Sequence, residues 1–195
     1  MNKDWTGNNQ FINACNSRNT SSAKYDYYAT SPHAVEKLLE VESFDKCIWE
    51  PACGEGHISK VLEAHGYDVI STDLIYRGYG EEEPFDFLRS NETNLQEDII
   101  TNPPYKYARE FVEKALDSIS ESHKVAMFLK LTFLSSKGRK SLFDMQPPQS
   151  VYVFSYRVEC GKNGKFANGG IGGGVDYAWF VWKKGYCGPT YLKWI

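Results

Sequence analysis

The chain has 195 residues, 42% hydrophobic and 24% charged, with a formal net charge of −3; that suffices for one substantial core and is too short for two comfortable domains. It holds no apolar run near the length of a membrane span, and Met1 to Asn19 is polar and Asn-rich rather than basic and then apolar, so a soluble, cytoplasmic protein is expected. Five cysteines (Cys15, Cys47, Cys53, Cys160, Cys187) are scattered, odd in number and without CxxC spacing, which argues against a disulfide framework and against a zinc site.

Residues 1–24 are rich in Asn, Ser and Thr and show no periodicity, which predicts a poorly ordered arm. Order begins near Tyr25–Tyr28. Ser31 before Pro32 reads as an N-cap followed by proline at the first helical position, with Ala34, Val35, Leu38 and Leu39 as one apolar stripe. Free amides at that helix start, flanked by the hydroxyls of Thr30 and Ser31, can hold a carboxylate.

Cys47–Glu50 is a short strand, Pro51–Gly56 a small-residue turn, and His57–His65 a helix ending at Gly66; Tyr67–Asp73 supplies a second strand and completes a βαβ unit. Gly54 and Gly56 allow close approach to the backbone. Asp73 lies 19 residues past Gly54, the spacing at which an acid grips a ribose hydroxyl pair in nucleoside-binding α/β folds.

The run from Asp98 to Thr101 is a strand that stops in Asn102-Pro103-Pro104-Tyr105. Two prolines fix φ and remove two amide hydrogens, so the backbone can neither join a ladder nor start a helix there. The amide oxygen of Asn102 and the backbone carbonyl oxygen of Pro103 then form a pair of acceptors beside the Tyr105 ring, a set suited to a planar amino group. A plain strand-to-helix turn is the competing reading.

A helix to Ile119 follows, with Ala108, Phe111, Val112, Ala115 and Leu116 at helical spacing, then Val125–Leu129 as a fully buried parallel strand. A short basic helix around Arg139 ends at Pro147-Pro148. Val151–Phe154 and Tyr177–Trp182 are predicted as antiparallel neighbours. Between them, residues 161–174 hold 7 of the 16 glycines, which predicts a mobile flap. Charge is unevenly placed: residues 1–100 carry 8 Lys/Arg against 18 Asp/Glu, residues 101–195 carry 14 against 7. The basic half, with Lys130, Lys137, Arg139, Lys140, Arg157, Lys162, Lys165, Lys183 and Lys184, offers a face for a polyanion, although solvated helix charges give the same count.

Taken together, Glu50-Pro51-Ala52-Cys53-Gly54-Glu55-Gly56 and Asn102-Pro103-Pro104-Tyr105 resemble the paired signature of S-adenosylmethionine-dependent amino-group methyltransferases, DNA adenine-N6 enzymes above all, and the likeness runs from about Tyr28 to Trp182. The resemblance implies a Rossmann-like α/β domain over residues 25–195, with a mostly parallel seven-stranded sheet and an antiparallel last strand. It implies S-adenosyl-L-methionine as cofactor, its carboxylate on Thr30 or Ser31, because Ser31 intervenes where many relatives have Thr-Pro. Glu50, Ala52 and Gly54 would line the methionine part, Asp73 the ribose, Asp86 and Phe87 the adenine, with Tyr28, Leu74 and Asn102 completing the site. Asn102, Pro103, Pro104 and Tyr105 would be catalytic, without a metal. Tyr105 and Phe166, the latter stacked on an extruded base, would bind the target, and the charge of the second half adds Lys137, Arg139, Lys140, Lys162 and Lys165 as phosphate contacts.

The likeness is to small phage or prophage-like forms without a separate target-recognition domain, so short or relaxed sequence specificity is expected unless a dimer partner or another protein reads the site. DNA is the expected partner. RNA amines, a protein glutamine amide, and a non-catalytic decoy are the alternatives.

Overall fold

In the computed structural model, which describes residues 27–162, 164–166, 171 and 174–195, the βαβ order becomes a seven-stranded sheet. The elements are β1 (Tyr28–Thr30), α1 (Pro32–Leu39), β2 (Cys47–Glu50), α2 (Ser59–Ala64), β3 (Asp68–Ser71), β4 (Asp98–Thr101), α3 (Ala108–Ser118), β5 (Lys124–Lys130), α4 (Lys140–Met145), β6 (Ser150–Val153), β7 (Cys160–Lys162), β8 (Tyr177–Lys183) and β9 (Tyr191–Trp194). The sheet order is β3-β2-β4-β5-β8-β6-β9. Strand β8 runs antiparallel to both its neighbours, while the other pairs are parallel. The antiparallel strand expected at Tyr177–Trp182 is therefore inserted between β5 and β6.

The sheet is central because its middle strands are apolar on both sides. On one face Val125, Met127 and Leu129 of β5 and Ala178, Phe180 and Trp182 of β8 pack with Phe111, Val112, Ala115 and Leu116 of α3. On the other, Ala126, Phe128, Trp179 and Val181 pack with Ala34, Val35 and Leu38 of α1 and Leu62 of α2. Each fully buried Leu, Val or Phe contributes about 1.5–3 kcal/mol relative to exposure. The two indoles bury their rings without orphaning their N–H groups: Trp179 Nε1 donates to the Ala34 carbonyl at 2.7 Å and Trp182 Nε1 to that of Gln146 at 3.1 Å.

Three elements were not anticipated. β9 closes the sheet edge with all four residues exposed, so it lacks the alternation that marks a half-buried strand. β1 and β7, three residues each, form a separate antiparallel ribbon that pairs Thr30 with Cys160 and Tyr28 with Lys162. The arm at 1–24 lies outside the described residues, as do 163, 167–170 and 172–173 of the flap.

Parallel pairing places the carboxyl ends of β2, β3 and β4 on one edge, where the glycine turn, Asp73 and the Asn102 corner meet. The opposite edge is knotted by Asp98, whose buried carboxylate accepts the backbone N–H groups of Asp45 and Lys124 at 2.8 and 2.7 Å.

Candidate active site

The corner after β4 is built by the ribbon. Asn102 Nδ2 donates to the Tyr28 carbonyl at 2.8 Å and to Thr30 Oγ1 at 3.0 Å. A carbonyl oxygen can only accept, so the amide has one permitted orientation: nitrogen toward β1, Oδ1 on the opposite side. The Pro104 carbonyl is taken by the Tyr107 N–H at 2.8 Å, whereas that of Pro103 receives no backbone donor among the described residues. Thr30, expected with Ser31 at a carboxylate, accepts from Asn102 through its Oγ1. Ser31 sits at the N-cap of α1 but does not cap it; its buried hydroxyl has no partner among the described residues, nor has that of Thr101.

The glycine turn is held from beneath. Gly54 and Gly56 adopt φ of +59° and +76°, a region open to glycine at little steric cost. A Cβ on Gly54 would lie 3.1 Å from the Tyr27 ring, and one on Gly56 would collide with the Tyr79 ring, so both close approaches are made here by the protein's own aromatics. Asp73 accepts the Gly54 N–H at 2.8 Å through one oxygen and the Ile75 N–H at 2.9 Å through the other, with Arg77 3.5 Å away. Beyond any ribose contact, it fastens the end of β3 to the turn. Glu50 is buried and accepts from the Ser59 N–H at 2.9 Å and from the Ser59 hydroxyl. Loss of water pushes its carboxyl up to about 8. Its placement is that of an internal brace between β2 and the start of α2, which begins at Ser59 because the turn runs on through Ile58.

Beside the corner lies a cavity of about 210 Å³ lined by Tyr28, Tyr105, Lys130, Glu159, Cys160 and Tyr177, among others. The Tyr105 hydroxyl meets Cys160 Sγ at 3.4 Å, its ring tilts against Tyr177 at 5.9 Å, and the Lys130 ammonium stands 5.0 Å from its centroid. Burial pushes the Cys160 thiol and the Tyr105 and Tyr177 phenols up, so the walls are uncharged apart from Lys130 and Glu159. Of these residues only Tyr28 and Tyr105 were expected. Lys130 had a legible signal, a charged residue closing an otherwise apolar strand, whereas nothing near Cys160 in sequence points to Tyr105.

Other expected residues fall elsewhere. Phe166 does not line the cavity: its ring meets His57 edge-on at 5.6 Å, because β7 is pinned to β1 and the bridge between Lys162 and Lys165 turns the backbone toward the glycine turn. Phe87 is core, edge-on to Trp49 at 5.2 Å, which leaves only its backbone for a ligand. Asp86 pairs with Arg89 at 3.5 Å. Ala52 packs against the core, and Leu74, 58% exposed, stands free at the end of β3. Arg139 is a tether rather than a free cation, donating to the carbonyls of Phe133 and Thr132 at 2.7 and 3.0 Å with its guanidinium over the Phe133 ring. Lys140 pairs with Asp144. Lys137, Lys162 and Lys165 are exposed.

The strand order, the inserted antiparallel β8 and a site at the carboxyl ends of β2, β3 and β4 define the Rossmann-like fold of S-adenosylmethionine-dependent methyltransferases. No family model and no curated sequence matches the protein. Among solved structures it is similar to a protein from Vibrio vulnificus YJ016 assigned as a modification subunit of a type I restriction enzyme, with a TM-score of 0.60 and 13% identity over 93% of this chain and 49% of that one; this chain spans about half the length of that subunit. It is similar to the 23S rRNA methyltransferase ErmE, with a TM-score of 0.55 and 16% identity over 81% of this chain and 70% of that one. A Thermotoga maritima S-adenosylmethionine-dependent O-methyltransferase gives a TM-score of 0.51 and 12% identity over 81% and 66%.

Proposed function

We propose that the protein is an S-adenosylmethionine-dependent methyltransferase acting on an exocyclic amino nitrogen of a nucleic acid base, adenine N6 of DNA in the first place. The observation that carries the reading is the Asn102 amide, locked by Tyr28 and Thr30 so that its oxygen remains available as an acceptor. An amino group has two hydrogens for two acceptor oxygens, those of Asn102 and Pro103, whereas a hydroxyl has one and a carbon acceptor none to offer.

The residues fit the cofactor. Asp73 lies just past the end of β3, 19 residues after Gly54, the spacing expected for a ribose acid, and a buried Ser31 hydroxyl without a partner among the described residues stands at the start of α1. Ser31, whose buried hydroxyl has no partner among the described residues, would take the carboxylate, and Thr30, which accepts from Asn102, keeps its own O–H for the same task. When bound, S-adenosylmethionine supplies an electrophilic methyl group on sulfonium. Asn102 and Pro103 accept the two hydrogens of the amine, favour a pyramidal nitrogen with a localised lone pair, and stabilise the positive charge that grows on it. Tyr105 offers its ring face to the base. In duplex DNA the base first leaves the stack, and Lys137, Lys162 and Lys165 contact phosphates, which position without specifying.

Incubating DNA, RNA and protein with isotope-labelled cofactor, followed by mass spectrometry of nucleosides and amino acids, tests this. Labelled N6-methyladenine from DNA is expected. Label confined to RNA or to glutamine relocates the substrate, and label nowhere refutes methyl transfer.

A further inference from the structure

The Lys130 ammonium occupies a position that the proposed reaction needs for something else. Its backbone is fixed, paired with Tyr177 across β5 and β8 and followed by a Leu131 N–H bond to the Asp176 carbonyl at 2.9 Å. Its side chain leaves the end of β5, enters the cavity and ends 5.0 Å from the centroid of the Tyr105 ring. There the ammonium is attracted by the ring's negative face, yet it donates no hydrogen bond among the described residues. Lysine carries three donors on a flexible four-carbon stem. Among the described residues this half-buried ammonium meets the Tyr105 ring face and keeps its donors for an acceptor that arrives.

A flat ring that stacks on Tyr105 within this cavity takes the volume the ammonium now holds. The stem allows one short retreat, to the edge of the incoming ring, since its root at β5 does not move. The edge of a heteroaromatic ring carries acceptors, ring nitrogens or carbonyl oxygens, that a carbocycle or an aliphatic amide lacks there.

We propose that Lys130 is a specificity-determining residue of the target seat: in the free protein its ammonium covers Tyr105, and on entry of the ring it shifts to the ring edge and donates to a ring acceptor. This rests on the reading of the corner as an amine site. The residue acts twice. It disfavours rings that displace it and give nothing back, and it favours those whose acceptor replaces the lost contact with the ring face. Discrimination of this kind depends on leaving a polar group unpaired in the wrong complex, the stronger of the two ways to be selective.

The test couples one side chain to one ring atom. Full-length protein, Lys130→Met and Lys130→Gln are titrated calorimetrically, with S-adenosylhomocysteine present, against short single-stranded oligonucleotides carrying one adenine, 1-deazaadenine, 3-deazaadenine or 7-deazaadenine, or an abasic position. One of the deaza substitutions should weaken binding to the unmodified protein by roughly tenfold, the order expected for a hydrogen bond from a charged donor, and should leave the affinity of Lys130→Met almost unchanged. Equal relative affinities for the protein and both variants overturn the proposal. So does a uniform loss that includes the abasic strand, which marks a phosphate contact, and so does adenine binding no better than the abasic position. Labelled-methyl incorporation into the same strands is scored separately: coupling at one ring atom without incorporation sustains the role of Lys130 and refutes methyl transfer instead.

Discussion

Thr30→Val separates two roles for one hydroxyl. The substitution keeps the shape of the side chain and removes the acceptor at 3.0 Å, leaving the Asn102 amide the Tyr28 carbonyl at 2.8 Å and the Cys160 thiol beside it. A buried N–H without a partner costs about 1–3 kcal/mol; because Asn102 is only partly buried, a stability loss of about 1 kcal/mol is expected, read from urea unfolding. The amide keeps its orientation but gains freedom to swing, and in the proposed reaction Asn102 Oδ1 would act on charge that develops only in the transition state. Removing such a contact outright, as in Asn102→Ala, lowers kcat by about 10²–10³-fold. Loosening it should lower kcat by about tenfold, with cofactor affinity measured by calorimetry unchanged. Thr30→Ser, which restores the hydroxyl, should recover most of the rate. If Thr30→Val instead keeps its kcat and binds cofactor more weakly, the hydroxyl belongs to the cofactor's carboxylate and the account of Asn102 is wrong.

Ser31→Ala removes a buried hydroxyl that has no partner among the described residues, so stability should hold or rise slightly while cofactor affinity falls by about 1.5–3 kcal/mol, the value of a hydrogen bond to a charged group; unchanged affinity by calorimetry would remove Ser31 from the site. Asp73→Ala frees the N–H groups of Gly54 and Ile75, so it should lower stability in urea by about 1–3 kcal/mol as well as weaken cofactor binding, and a variant as stable as the parent would refute its bracing role. Burial holds the Glu50 carboxyl up at about 8 against the ordinary 4.5; the folded state therefore binds the extra proton between those values, and stability, full below 4.5, falls as pH rises toward 8. Glu50→Gln should flatten that limb, whose slope approaches about 1.4 kcal/mol per pH unit, in unfolding measured across the same window. Arg139→Ala should destabilise the fold and change the salt dependence of DNA binding little, while Lys137→Ala should leave stability alone and reduce the salt slope by about 1; the reverse pattern would make Arg139 the phosphate contact.

What could be read from the sequence was what neighbouring residues decide. Proline at 103 and 104 dictates a corner whatever surrounds it, small residues at Gly54 and Gly56 dictate a turn, and the apolar runs of β5 and β8 fit only a sheet covered on both faces. The ribbon of β1 and β7 could not be read in this way. It joins residues more than a hundred positions apart through two strands of three residues, too short for any alternation to register. The misplacement of Phe166 follows from the same gap: with the ribbon unknown, a glycine-rich segment has no anchor, and an aromatic within it can be aimed anywhere. Arg139 shows a different limit. Composition counts its charge as available, whereas two carbonyls and a phenyl face already engage it.

That ribbon also explains why the corner and the cofactor cradle need not act independently. Strand β1 contributes the Tyr28 carbonyl and the Thr30 hydroxyl to Asn102 and then, one residue later, opens α1 with the unpartnered Ser31. Its partner β7 contributes Cys160 to Tyr105. A carboxylate drawn to the start of α1 therefore bears on the residue next to the one that holds the acceptor amide, and a ring seated on Tyr105 bears on the strand opposite. By linkage, whatever the cofactor does to the affinity for the target ring, the ring must do to the affinity for the cofactor. The amide of Asn102, fastened to the middle of this device rather than to the large sheet alone, is the point at which the two would meet.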